Sequence, residues 1–221
     1  MQFRDRHHAG LEVASMLTHL RGGDCIVLAI PRGGVVVGYE VAKSLNCPLD
    51  VIVPRKIGAP GQPELAIGAV SEDGSVYLDE FLAGLVGASS EYVDKTVKAE
   101  LAEVRRRVRV YRGGREKLDV AGKTVILVDD GLATGSTVLA AVRHLRKLGP
   151  REIIVAVPVA AGETIEKVRA EADAVYCRYT PRDFYAIGQF YERFEQLDDE
   201  EVVQLLTSMR NIGGAGGAGT A

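Results

Sequence analysis

The sequence predicts an α/β fold, a doubly wound and mostly parallel sheet flanked by helices. Apolar runs of strand length alternate along the chain with longer segments of helical periodicity. Several of the runs are continuously apolar, as expected for parallel strands that are covered on both faces. The 221 residues are 47% hydrophobic and 26% charged, which is ordinary for a globular domain large enough to bury a core.

The first elements follow the β/α alternation. Helically spaced apolar residues predict a helix over 9–20, and the apolar run 25–30 predicts a strand. A tight turn at 31–34, Pro-Arg-Gly-Gly, then leads into a predicted helix over 35–45. A second strand is predicted over 49–53.

The middle of the chain departs from this alternation. The stretch 55–64 contains two glycines and two prolines, so we expect an irregular loop of functional length. Two short strands, 65–70 and 75–78, are predicted beyond it and are joined by the turn 72–74.

The second half returns to β/α alternation. A long helix is predicted from Ser89 or Ser90 to about Tyr111 and is ended by two glycines. Further elements are strands at 123–129, 152–159 and 174–179, and helices at 135–148, 163–172 and 198–209. One domain is therefore expected over 1–212, followed by a disordered Gly/Ala tail at 213–221.

Composition excludes several classes of function. The net charge of -3 gives no general attraction to polyanions, so nucleic acid would need a local basic patch. The three cysteines are far apart, and we expect reduced, mostly buried thiols. The N-terminal segment lacks the apolar core of a secretory signal, and no apolar run is long enough to span a membrane. A cytoplasmic location without membrane contact is expected.

The most informative stretch is 125–137, VILVDDGLATGST. An apolar strand delivers Asp129 and Asp130 to the edge of the sheet where open α/β folds bind ligands. Their oxygens are suited to vicinal sugar hydroxyls or to hydrated Mg²⁺. The Gly/Thr/Ser loop that follows opens a helix, whose free N–H groups and dipole favour a phosphate. A sugar phosphate satisfies both halves, whereas helix capping alone would not require two adjacent carboxylates.

These thirteen residues resemble the phosphoribosyl pyrophosphate (PRPP) motif of the type I phosphoribosyltransferase family, in which two acidic residues precede Thr-Gly-x-[Ser/Thr]. The resemblance implies that Asp129 and Asp130 bind the ribose hydroxyls. It also implies a 5′-phosphate site built from Gly131, Ala133, Thr134, Gly135, Ser136 and Thr137.

The family also binds pyrophosphate on a loop after its first core strand, and the Pro-Arg-Gly-Gly turn stands at that place. Candidate pyrophosphate-binding residues are Arg32, Gly33, Gly34, Arg55 and Lys56, because glycines admit the diphosphate and cations neutralise it. Arg55 and Lys56 otherwise form an ordinary solvated pair. Mg²⁺ is implied as the cofactor, held through PRPP and by Asp129 and Asp130 as candidate ligands.

The implied reaction transfers the 5-phosphoribosyl group of PRPP to a nitrogenous base or related small-molecule acceptor and releases pyrophosphate. Members of the family that act on 6-oxopurines carry an Asp where this sequence has Ala133, which counts against hypoxanthine or guanine. A small C-terminal hood is expected at 180–197. Its aromatic residues, Phe184, Tyr185, Phe190 and Tyr191, are base-binding candidates that are equally suited to core or dimer contacts.

The alternative is a PRPP-binding regulator without turnover, since some members of the family sense PRPP and bind nucleic acid. The supporting feature is a run of six arginines between 105 and 115. These arginines are spread around a helix beside acidic residues, so a solvated, ion-paired helix is favoured over nucleic-acid binding. A homodimer remains an option.

Overall fold

The computed structural model describes residues 2–214. This part of the chain contains the strands β1 (Cys25–Ala29), β2 (Leu49–Val51), β3 (Arg55–Ala59), β4 (Gln62–Val70), β5 (Val76–Leu78), β6 (Thr124–Val128), β7 (Glu152–Val159) and β8 (Ala174–Tyr179). Five of them form a parallel sheet in the order β2-β1-β6-β7-β8. The predicted parallel α/β fold is therefore confirmed.

The helices of this region are α1 (Arg6–Met16), α2 (Gly33–Leu45), α3 (Glu80–Leu85), α4 (Ser90–Arg112), α5 (Ser136–Lys147), α6 (Gly162–Arg169) and α7 (Asp199–Gly214). Alternate strand residues point to opposite faces, so the sheet has two cores. Apolar side chains of α1, α2, α4 and α7 pack on one face, and those of α5 and α6 pack on the other. Helices thus cover both faces, as the continuously apolar strands predict.

A second, antiparallel sheet in the order β3-β4-β5 corrects the expectation of an irregular loop over 55–64. Its first two strands form a hairpin whose turn uses the positive φ of Gly61, and Pro63 sits near its tip. Register shifts on either side of Gly58 interrupt the ladder. The Gly and Pro residues therefore mark a short turn and a bulge rather than a loop. Short α3, which the sequence analysis missed, follows β5.

Two of the three cysteines form a disulfide, so the expectation of reduced thiols is wrong for them. Cys25 and Cys47 are joined by a disulfide across 22 residues, with their Cα atoms 5.9 Å apart. Cys25 begins β1 and Cys47 follows α2, so the β/α unit brings together residues that are distant in sequence. Cys177 is free and half-buried.

The chain closes back on its start. Phe3 donates its backbone N–H to the carbonyl of Phe190, and Glu192 donates to the carbonyl of Phe3. The predicted tail at 213–221 lies outside the described residues, apart from the last two residues of α7. None of the helices in residues 2–214 is long and apolar enough to cross a membrane.

Candidate active site

A cleft of about 700 Å³ opens at the carboxyl ends of β1 and β6. The hairpin of β3 and β4 forms one wall, and α4 contributes to it. The cleft brings together eleven of the residues predicted from the sequence: Arg32, Gly33, Arg55, Lys56, Asp129, Asp130, Gly131, Ala133, Thr134, Gly135 and Thr137. Of the other two residues predicted for phosphate or pyrophosphate binding, Gly34 packs against the backbone of Asp129 and Ser136 lines a neighbouring cleft.

The acidic pair follows β6 directly and marks the centre of the cleft. The backbone N–H of Asp130 donates to Oδ1 of Asp129 at 2.8 Å. Asp130 is only 9% exposed, and its Oδ2 accepts a hydrogen bond from Arg6 Nε at 2.7 Å. Each carboxylate is thus oriented by a neighbour before any ligand arrives.

Holding two carboxylates side by side in a buried place is electrostatically unfavourable. Burial, together with the adjacent charge of Asp130, raises the pKa of Asp129 well above its usual range. The positive charge of Lys56 opposes this rise. A cation or hydroxyl donors at this point would relieve the repulsion between the carboxylates.

The loop after the acidic pair forms an anion cradle at the start of α5. Gly135 adopts φ 74°, a left-handed conformation that favours glycine, and it is the N-cap of the helix. As a glycine, this N-cap supplies no capping side chain, and the N–H of Ser136 makes a long 3.5 Å hydrogen bond to Thr134 Oγ1, so the first N–H groups of the helix stay available to a ligand. The hydroxyls of Thr134 and Ser136 lie 3.1 Å apart beside them. This arrangement suits a phosphate.

The Pro-Arg-Gly-Gly turn packs tightly against the acidic pair. A Cβ placed on Gly33 would overlap Oδ2 of Asp130, so no side chain fits there. The peptide between Pro31 and Arg32 is cis. The glycine that the sequence singled out for pyrophosphate is therefore also needed for contact with Asp130.

Two predicted cations enter the cleft from β3. Arg55 donates through Nε to Oε2 of Glu100 on α4 at 2.7 Å, with both side chains partly exposed. Its neighbour Lys56 faces the cleft near Asp129. Both residues begin β3, whereas the sequence predicted that they lie in an irregular loop.

Sequence reasoning missed the contribution of α4. Tyr92, Thr96, Glu100 and Arg107 line the cleft from one face of this helix. Their spacings of four, four and seven residues are the helical periodicity that puts polar groups on one side. This polar stripe was the signal that could have identified them. The hydroxyl of Tyr92 donates to the carbonyl of Gly58 at 2.9 Å and so ties the helix to the hairpin.

The predicted hood covers one end of the cleft with Ile187, which packs close to Gly131. Burial argues against two of the base-binding candidates. Phe190 is 6% and Tyr191 4% exposed, and both pack with Phe3. Their rings are not presented to a ligand. Tyr185 is 87% exposed.

Phe184 has a different place. It lines a second cleft of about 400 Å³ that lies beside the phosphate loop. Ala66, Ala133 and Thr134 line both clefts, so the two are neighbours. Its charged lining is mixed, because Arg182 and Lys167 are accompanied by Asp79 and Glu163.

Three of the six arginines in the run form ion pairs within the protein. Arg106 and Arg107 both donate to Glu103, at 2.7 and 2.8 Å. Arg112 is buried and pairs with Asp50 and Glu72. These ion pairs leave a smaller basic surface than the six arginines of the sequence indicate.

The oxygen donors of the acidic pair determine which metal the cleft could hold. Within residues 2–214 no three His, Cys, Asp or Glu side chains cluster as a metal site. Asp129 and Asp130 are hard oxygen donors of the kind that Mg²⁺ accepts, and Mg²⁺ commonly takes only one or two carboxylates beside phosphate oxygens and water. The pair therefore fits a metal that arrives with a phosphorylated ligand.

Comparison with known proteins agrees with this geometry. Residues 7–194 match the phosphoribosyl transferase domain family, and the chain belongs to that family. The match begins in α1 and ends in the hood segment, so it covers the whole cleft.

Individual relatives are similar over most of this chain. The protein TT1426 from Thermus thermophilus is 42% identical, with a TM-score of 0.79 over 95% of this chain and 99% of that one. A Mycobacterium tuberculosis protein provisionally named a phosphoribosyl transferase is 42% identical over 92% of this chain. That relative is longer, because the match covers 46% of it. An amidophosphoribosyltransferase from Rhizobium etli is 30% identical over 53% of this chain and 22% of its own.

Proposed function

We propose that this protein binds PRPP with Mg²⁺ and transfers its 5-phosphoribosyl group to a nitrogenous base or related acceptor, releasing pyrophosphate. The observation that carries the proposal is the juxtaposition of three features in one cleft. They are the oriented acidic pair, the uncapped start of α5 and the cations of β3. Membership of the phosphoribosyl transferase domain family supports it.

The donor is oriented by the two ends of the motif. The 5′-phosphate binds the loop from Ala133 to Thr137, where backbone N–H groups and hydroxyls converge. The ribose hydroxyls then lie against Asp129 and Asp130. Binding through both groups fixes the sugar, so C1 is held in one position relative to the cations.

The leaving pyrophosphate is placed beside Arg32, Arg55 and Lys56. As the C1–O bond breaks, negative charge grows on the diphosphate and positive charge grows on the ribose ring. Fixed cations stabilise the first, and the carboxylates stabilise the second. When bound, Mg²⁺ supplies further charge neutralisation of the diphosphate. Closure of the hairpin and α4 over the cleft would exclude water, which otherwise competes as the acceptor.

The acceptor side is the least specified part of the site. Ile187 and Ala133 offer an apolar surface near the acidic pair, and Ala133 provides no carboxylate to manage a proton on a 6-oxopurine. We therefore propose an acceptor other than hypoxanthine or guanine. Phe184 and Tyr185 stay candidates for its recognition, and a cytoplasmic location and a homodimer stay predictions.

The test combines binding with turnover. Calorimetric titration of the protein with PRPP and Mg²⁺ is expected to give one site, and a panel of nucleobases then identifies the acceptor by pyrophosphate release. Saturable PRPP binding with no release for any base would favour a PRPP-sensing regulator instead.

Substitution of the acidic pair localises the site. Asp129→Asn combined with Asp130→Asn is expected to abolish PRPP binding, because both hydroxyl acceptors lose their charge. The variant should stay folded, because the removed repulsion between the carboxylates offsets part of the loss of the buried Arg6–Asp130 ion pair; circular dichroism checks this. Undiminished PRPP affinity in the double variant would contradict the site assignment.

A further inference from the structure

Arg6 lies outside the sequence motif but contacts it directly. It begins α1, and its Nε donates to Oδ2 of Asp130 at 2.7 Å. Both side chains are only 12% exposed, so the pair is shielded from water. Charge-assisted hydrogen bonds in such a place are stronger and more directional than those at the surface.

The guanidinium of Arg6 is itself held in place by the hood segment. Its Nη1 donates to the carbonyl of Glu195 at 2.9 Å, and its Cζ lies 3.8 Å from the centre of the Phe194 ring. Tyr191 donates its hydroxyl to the backbone carbonyl of Asp130 at 2.7 Å. The side chain and the backbone of Asp130 are therefore each held by groups from opposite ends of the chain.

We propose that Arg6, clamped by Phe194 and Glu195, is a positioning residue that holds Asp130 ready for the ribose hydroxyls. This inference rests on the proposed function of the cleft. Arg6 engages Oδ2, which leaves Oδ1 as the oxygen for a ligand hydroxyl. Gly33 packs against the same oxygen and beside Arg6 Nε, so it confines the ion pair.

The physical reason is the cost of ordering a charged side chain. Without Arg6, Asp130 would be repelled by Asp129 and would lose its fixed rotamer. Ribose binding would then have to supply the free energy that orients it. The pyrophosphate cations Arg55 and Lys56 lie on β3, where Arg55 pairs with Glu100, so their positions are set by β3 and α4 rather than by Arg6. The inference therefore predicts a selective loss for the ribose part of the ligand.

The experiment measures two probes separately, ribose 5-phosphate and inorganic pyrophosphate, each by calorimetry with Mg²⁺. Arg6→Gln is expected to weaken ribose 5-phosphate by about tenfold or more, the effect of one charge-assisted hydrogen bond. Pyrophosphate affinity should be unchanged. Arg6→Lys should recover part of the loss, because it keeps the charge but not the planar stack on Phe194.

The matched control is Arg193→Gln. Arg193 also joins the two ends of the chain, through a 2.7 Å ion pair with Asp5, but it is 69% exposed and does not touch Asp130. Both affinities should remain those of the wild type. A selective effect of Arg6 over Arg193 would separate positioning from general attachment of the hood.

Several results would overturn the inference. They are unchanged or tighter ribose 5-phosphate binding in Arg6→Gln, and an equal loss of both probes, which would indicate general damage to the cleft. If Arg6→Gln does not fold, Arg6→Lys decides, and wild-type affinity for ribose 5-phosphate in that variant rejects the inference. Wild-type protein that binds neither PRPP nor ribose 5-phosphate would instead reject the proposed function, and the inference with it.

Discussion

The buried charges at the end of α4 allow one stability prediction to be worked through. Arg112 donates to Asp50 at 3.3 Å, to Glu72 at 2.9 Å and to the carbonyl of Val51 at 2.7 Å. Its side chain is 9% exposed, and those of Asp50 and Glu72 are 6% and 12% exposed. One guanidinium thus compensates two carboxylates that water scarcely reaches.

Arg112→Met keeps the length and most of the volume but removes the charge. It leaves Asp50 and Glu72 without their cation, and breaking a buried pair in this way costs about 3–5 kcal/mol of unfolding free energy. The total stability of a domain is about 5–15 kcal/mol, so the variant should remain folded but unfold at much lower urea. Urea denaturation followed by circular dichroism measures the difference.

The control lies on the same helix. Arg106 pairs with Glu103 at 2.7 Å, but its side chain is 48% exposed, so Arg106→Met should change the urea midpoint far less. Equal midpoint shifts for Arg106→Met and Arg112→Met would refute the reasoning from burial. A partial recovery when Glu72→Gln is added to Arg112→Met would support it, because the uncompensated charge is then removed.

Three further predictions concern single side chains. Burial lowers the pKa of His144 below its usual 6.5, so the unfolded chain binds more protons and the free energy of unfolding should fall as pH decreases through and below 6.5. His144→Gln should make that fall less steep in urea titrations at several pH values. Gly33→Ala should cost about 1–3 kcal/mol in denaturation and abolish PRPP binding, while Gly84→Ala, with open space around it, should do neither. Tyr111→Phe should cost about 1 kcal/mol, because the hydroxyl donates to Asp199 at 2.6 Å; an unchanged midpoint would contradict this role in docking α7.

The grouping of the acidic pair with the loop at the start of α5 could be predicted from the sequence because these residues are local. Asp129, Asp130 and the loop to Thr137 occupy nine consecutive positions after a strand, so a strand followed by a helix is enough to define their geometry. The Pro-Arg-Gly-Gly turn joins them because the ends of neighbouring parallel strands meet at one edge. Local pattern and sheet topology together specify this half of the cleft.

The remaining parts depend on contacts between distant residues. Arg6 approaches Asp130 across 124 positions, and the disulfide partners Cys25 and Cys47 meet only once the first β/α unit is folded. The local sequence around the aromatic residues of the hood does not indicate which of them are buried. Phe190 and Tyr191 are core residues because Phe3 of the N-terminal segment packs on them.

The same long-range contacts connect the hood to the donor site. Tyr191 binds the backbone of Asp130, and Phe194 supports the arginine that binds its side chain. Ile187, which lies between Phe184 and Tyr191 in the sequence, packs close to Gly131 at the edge of the cleft. An acceptor that displaces the hood would therefore shift Asp130. A ribose bound at Asp130 would in turn restrict the motion of the hood. Occupancy of the cleft at Asp130 should accordingly change the affinity for the acceptor, and the acceptor should change the affinity for PRPP by the same factor, since binding free energies at coupled sites are reciprocal.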